Sequence, residues 1–122
     1  MNSKLEVIEK IKNDAIIRKI SDFSTDADVY VVGGCVRDSF LGVENFDKDI
    51  VVENSREFAV ALAEALDGKF IPLDEEFKIY RIILRDKITC IDVAAPIGGS
   101  IQADLLRRDL TINSIAINIK TF

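Results

Sequence analysis

Apolar residues recur along the start of the chain at Leu5, Ile8, Ile11, Ala15, Ile16 and Ile20, with lysines and glutamates between them. That spacing is close to the helical period and predicts one amphipathic helix over residues 3–21. A polar connection from Asp22 to Asp28 follows, so residues 1–25 read as a helix leading into a linker. The pattern then changes. Val29-Tyr30-Val31-Val32 is a continuous run of β-formers ending at Gly33-Gly34, which predicts a buried strand entering a tight turn. Val36 to Leu41 reads as a short helix closed by Gly42. Asp49 to Glu53 carries Ile50, Val51 and Val52 and reads as a second strand. Asn54 or Ser55 is placed to cap a helix with an apolar face of Phe58, Leu62, Ala65 and Leu66, ending before Gly68. Lys69 to Pro72 starts an extended stretch. Phe77–Leu84 and Lys87–Ala94 then predict a hairpin turning at Arg85-Asp86, residues 101–110 a helix, and Ile115–Ile119 a last strand.

This order, β-α-β-α followed by a hairpin, a helix and a strand, predicts an α+β fold with a mixed β-sheet and helices mainly on one face. At 122 residues and 48% apolar, the chain has material for one core and not for two. No apolar run approaches the roughly 20 residues that span a bilayer. The N-terminus alternates charged and apolar residues, unlike a signal or transit peptide. The expectation is a cytoplasmic protein with no membrane contact.

Composition narrows the chemistry. With no histidine, Ser-His-Asp, Cys-His and His-ligated zinc mechanisms are excluded. Cys35 and Cys90 are too few for a disulfide framework, and neither has a metal-ligand neighbour at short spacing. Catalysis must rest on carboxylates, arginines, lysines and backbone amides, and oxygen donors suit a hard cation such as Mg²⁺. A net charge of −5 argues against this chain gripping a polyanion by charge alone.

Four segments carry candidate chemistry. In Gly33-Gly34-Cys35-Val36-Arg37-Asp38, glycines at a strand-to-helix junction let the backbone approach a ligand, and the amides at the helix start form an anion site. Arg37 is one turn in and could reach a phosphate with its planar fork. The same glycines also serve a plain turn. In Asp47-Lys48-Asp49, strand geometry points both carboxylates to one face. A bound cation relieves their repulsion, and such a pair can bridge two Mg²⁺ ions in phosphoryl transfer. Asp26-Ala27-Asp28 has the same spacing in a polar connection, so the pattern gains weight only from its place at the head of an apolar strand. Asp92, in Ile91-Asp92-Val93-Ala94, is either on a solvated face or at a site. Arg107-Arg108-Asp109-Leu110-Thr111-Ile112-Asn113 is either a solvated helix end or a nucleotide contact, in which Asp109 orients an arginine on the triphosphate or Asn113 hydrogen-bonds the site.

Taken in order, the segments resemble the head domain of the CCA-adding tRNA nucleotidyltransferase and bacterial poly(A) polymerase family, within the DNA polymerase β-like nucleotidyltransferase superfamily. Val31–Asp38 matches its VGGxVRD segment, Asp47-Lys48-Asp49 its DxD, and Arg107–Asn113 its RRDxTxN. The resemblance covers residues 29–119 and implies a nucleotidyltransferase fold in a single head domain over 1–122. It implies that Asp47 and Asp49 are catalytic and bind Mg²⁺, and that Gly33, Gly34, Arg37, Arg108 and Asp109 bind the nucleotide. Asp92 is a candidate for the superfamily's third carboxylate, at a position the three matched motifs do not cover. The implied reaction transfers NMP from CTP or ATP to the 3′ end of RNA, tRNA in the CCA case, with release of pyrophosphate. A poly(A)-, CC- or A-adding head, or a nucleotide-binding module inactive on its own, are the alternatives. The family's neck, with its EDxxR-like base selector, and its body and tail domains are not in this sequence, so RNA would be held through those domains.

Overall fold

A computed structural model describes residues 3–23, 28–42, 47–96 and 116–119. The N-terminal segment is two helices rather than the one expected, α1 at Lys4–Lys12 and α2 at Ala15–Asp22. Asp14 is the cause. Its backbone is extended, and its carboxylate accepts from the Ile16 and Ile17 amides at 2.9 and 3.1 Å, an N-cap that ends one helix and starts another. A capping box between Ser3 and Glu6 opens α1. The break rotates the apolar stripe. Val7, Ile11, Ile17 and Ile20 are buried, whereas Leu5 is exposed.

The remaining elements are β1 (Tyr30–Val32), α3 (Gly34–Leu41), β2 (Asp47–Val51), α4 (Ser55–Leu66), β3 (Lys69–Asp74), β4 (Ile79–Ile83), β5 (Cys90–Ala94) and β6 (Ile117–Asn118). They form one sheet in the order β3-β4-β5-β2-β1-β6. β2 and β5 are parallel and every other pair is antiparallel, so the sheet is mixed, as the pattern predicted. α3 starts two residues before its expected position. β2 also starts earlier, so Asp47 lies within the strand. The helix expected at 101–110 lies outside the described residues.

Alternation along the strands gives the sheet two faces. Val31, Ile50, Tyr80, Ile82, Ile91 and Val93 point to one, where they form the core with Val36 of α3 and with Phe58, Ala59, Leu62 and Ala63 of α4. Burial of each larger side chain stabilises the fold by roughly 1.5–3 kcal/mol. Ala65, expected on the buried stripe of α4, is exposed, and Ala59 and Ala63 are buried instead. Lys48 points to this same covered face. It is 5% exposed, and its ammonium lies 3.1 Å from Asp14 Oδ2. Asp14 therefore caps α2 and also neutralises the lysine at the centre of Asp47-Lys48-Asp49.

The β4–β5 turn is built around Asp86. Its carboxylate accepts from the Thr89 hydroxyl at 2.7 Å and from the Ile88 and Thr89 amides, both at 2.8 Å. Those bonds, the Thr89 hydroxyl first, hold the Asp86 pKa below its ordinary value. Fixing the turn fixes the hairpin register, in which Arg81 stands opposite Asp92. Among the described residues no helix is long and apolar enough to cross a membrane.

Candidate active site

Cross-strand partners in register share a face, so the pairing places the polar side chains of the other face in rows. One row runs Arg81–Asp92–Asp49–Val32 across β4, β5, β2 and β1. The next runs Ile83–Cys90–Asp47. Asp47, Asp49 and Asp92 thus come to one patch of sheet from two parallel strands. The patch sits where β1 runs into the glycine turn.

Gly33 and Gly34 have separate tasks there. Gly33 has φ +68, a left-handed conformation that side chains disfavour. A Cβ added to it would lie 2.9 Å from Asp49 Oδ2, so the missing side chain makes the space that the carboxylate occupies. Gly34 begins α3, and a Cβ on it would lie 3.2 Å from Arg37 Nη2. Helical side chains lean toward the N-terminus, which brings the Arg37 guanidinium back over the first turn. It remains 45% exposed and bonds Asp38 Oδ1 at 3.2 Å. The two glycines are adjacent, so Asp49 and Arg37 approach the same turn. The Arg37 amide donates to the Gly33 carbonyl as the first bond of α3. The amides of Gly34, Cys35 and Val36 precede it and have no intrahelical acceptor, the arrangement that attracts anions.

The donor set fits a hard divalent cation. Asp47 is exposed and Asp49 half-buried, both on one face of one strand, and both offer only oxygen. Among the described residues no three acidic or cysteine side chains converge as a metal cluster. Arg81 takes the Asp92 carboxylate in a two-bond fork, Nε to Oδ1 at 2.8 Å and Nη2 to Oδ2 at 3.1 Å. Those bonds and the charge of Asp92 raise the Arg81 pKa further above its ordinary value, against the opposing effect of burial, and Asp47 adds to the rise. Burial pushes the Cys90 thiol up, and the Asp47 charge pushes it the same way.

Of the residues singled out in the sequence, Gly33, Gly34, Arg37, Asp47 and Asp49 are brought together. Asp92 lies in register with Asp49 on the same face and is paired with Arg81. Arg108, Asp109 and Asn113 lie outside the described residues. Asp28 accepts from Asn118 Nδ2 at 3.1 Å at the β1–β6 edge, away from this row. Arg81 was not foreseen. Its signal was present in the alternation of Ile79-Tyr80-Arg81-Ile82, which sets it opposite to two core residues and, through the hairpin, beside Asp92.

Residues 29–96, which span β1 to β5 and the whole of this patch, match the Poly A polymerase head domain family. The chain belongs to that family. The CC-adding tRNA nucleotidyltransferase of Geobacter sulfurreducens is 42% identical over 90 residues, covering 73% of this chain and 21% of that protein. The A-adding tRNA nucleotidyltransferase of Deinococcus radiodurans is 37% identical over 90 residues, covering 71% of this chain and 19% of that protein. Among solved structures, a CCA-adding enzyme in complex with CTP superposes with a TM-score of 0.81 at 34% identity, covering 98% of this chain and 31% of that one. The Thermotoga maritima CCA-adding enzyme in complex with tRNA gives 0.73 at 37% identity, covering 98% of this chain and 27% of that one. The nucleotidyltransferase head fold is thereby established for this chain. The chain spans about a fifth of the length of these two curated relatives.

Proposed function

We propose that this head domain carries the metal and nucleotide site of a tRNA nucleotidyltransferase, which transfers CMP or AMP from CTP or ATP to the 3′ end of an RNA. The observation that carries the reading is the seating of Asp49 against Gly33. It puts a carboxylate pair beside a helix start suited to phosphates. In the reaction the terminal 3′-hydroxyl oxygen bonds to the α-phosphorus, the bond from that phosphorus to the β-phosphate oxygen breaks, pyrophosphate leaves, and the hydroxyl proton is lost. Asp47 and Asp49 would hold Mg²⁺, which supplies positive charge at the reacting phosphoryl oxygens. The amides at the start of α3 and the Arg37 guanidinium hold the rest of the triphosphate. Arg108 and Asp109 contact the nucleotide in this reading. Transfer of this kind asks a protein for positioning and charge stabilisation rather than proton relay, which suits a chain without histidine.

Relatives at this level of identity are named as CC-adding and A-adding tRNA nucleotidyltransferases and as a multifunctional CCA protein, so the reading takes both CTP and ATP as donors. RNA is held by segments outside this acidic head, in a cytoplasmic enzyme. Isothermal titration of the chain with CTP and with ATP, with and without Mg²⁺, tests the proposal. Metal-dependent binding of both nucleotides that disappears in Asp47→Ala/Asp49→Ala is expected. Equal binding by that double variant contradicts the assignment.

A further inference from the structure

The row that carries Asp49 holds a positive charge with no part in the reaction described above. Arg81 and Asp92 face one another on neighbouring antiparallel strands, in register, and meet through two hydrogen bonds. Asp92 is also in register with Asp49 on the other side. A carboxylate at that position, turned toward Asp49, would be a third oxygen donor for the same cation. It is turned to Arg81 instead, and the fork engages both of its oxygens. Arg81 is 40% exposed and Asp92 29%, so the pair stands at the open edge of the patch, where the charges act on an ion across partly solvated space.

We propose that Arg81 is a positioning residue that restrains Asp92 and sets the metal affinity of the site, keeping it a weak two-carboxylate site in the free protein. The inference rests on the reading of Asp47 and Asp49 as metal ligands. Its physical content is a sign. If Arg81 were only a structural brace, its loss would loosen the sheet and weaken metal binding. If it restrains Asp92 and offsets its charge, its loss frees a third carboxylate beside Asp49, and the cation is held more tightly. The influence of Asp47 on the Arg81 guanidinium agrees that the arginine lies within electrostatic reach of the metal-binding pair. A site kept weak in this way exchanges its cation readily and fills chiefly when a nucleotide brings its own phosphate oxygens.

The test is Mn²⁺ binding to the 122-residue chain without nucleotide, read from the electron paramagnetic resonance signal of the free ion. Thermal melts of each variant run alongside. Arg81→Gln is expected to bind Mn²⁺ on the order of three- to tenfold more tightly than the parent, the size of one unit charge acting on a divalent ion across a partly screened site. Arg81→Lys, which keeps the charge, is expected to stay near the parent. Arg81→Gln/Asp92→Asn is expected to lose the gain. Unchanged or weaker binding in a folded Arg81→Gln overturns the role of Arg81 while leaving Asp47 and Asp49 as ligands. Should Arg81→Gln melt too low to assay, Arg81→Lys and Asp92→Asn decide. Asp92→Asn leaves the Arg81 charge without its counter-charge, so it is expected to bind Mn²⁺ on the order of three- to tenfold more weakly, and parental affinity in a folded Asp92→Asn overturns the proposal. If the parent binds Mn²⁺ no better than Asp47→Ala/Asp49→Ala does, the underlying reading fails as well.

Discussion

Replacing Gly33 by alanine separates the cost of an unusual backbone conformation from the cost of crowding the Asp49 carboxylate. At φ +68 the added Cβ carries a left-handed penalty of about 1–2 kcal/mol. An unfolding entropy of about 2.1 cal/mol/K per residue, over 122 residues, converts that penalty to a fall of about 4–8 °C in Tm. The second effect is local. The new Cβ would stand 2.9 Å from Asp49 Oδ2, too close for carbon against oxygen, so the carboxylate would have to turn away. With Asp49 turned out, the proposed site would lose one of the two carboxylates that hold the metal. Mg²⁺-dependent CTP affinity is expected to fall about tenfold or more, which is about 1.4 kcal/mol. Gly42→Ala is the control. Gly42 has φ +72 but stands at the far end of α3. It should show the same fall in Tm and retain CTP binding. Scanning calorimetry and titration of the parent and both variants form the assay. A Gly33→Ala protein that melts lower yet binds Mg²⁺-CTP like the parent would refute the claim that this glycine exists to seat Asp49.

Two further outcomes follow from the same geometry. Asp14→Ala removes the cap of α2 and takes a carboxylate from the buried Lys48 ammonium, so it should destabilise the chain by about 2–4 kcal/mol in urea unfolding. Lys48→Met keeps the buried stem without the charge and should cost less, and adding it to Asp14→Ala should recover part of the loss. A double variant less stable than Asp14→Ala alone would show that the ion pair is not the cause. Asp86, whose folded pKa is depressed, contributes stability that is present above the ordinary carboxylate pKa and lost as pH falls through the folded value. Asp86→Asn should flatten that part of the Tm–pH curve below about pH 4, and an unchanged acid limb would contradict the assignment.

Elements written by local chemistry were legible in the sequence. The run Val29–Val32 before Gly33-Gly34, the stripe of Phe58 and Leu62, and the alternation around Arg85-Asp86 each predicted an element that the fold contains. Asp47 and Asp49 were legible because a strand's period of two needs no tertiary information. What was missed depends on partners distant along the chain. Asp14 looked like one more polar residue in a helix; its cap bonds to Ile16 and Ile17 are local, but its pairing with Lys48 depends on the tertiary fold. Ala65 fitted the apolar stripe of α4 as well as Ala63 did, and only the angle at which α4 lies on β4 and β5 separates them. Arg81 carried no motif. Its significance comes from register, which joins β4 to β5 and β5 to β2 and so places a charge from residue 81 in line with one from residue 49.

The proposed function requires a divalent cation between the carboxylates of Asp47 and Asp49, beside the Gly33-Gly34 turn. Anomalous scattering from Mn²⁺ in crystals grown with CTP would locate it. A manganese peak coordinated by oxygens of both Asp47 and Asp49 is expected, at about 2.0–2.2 Å as for ions of this kind, with the CTP phosphates completing its shell at the start of α3. A peak bound elsewhere on the chain, or CTP held with neither carboxylate touching the metal, would contradict it.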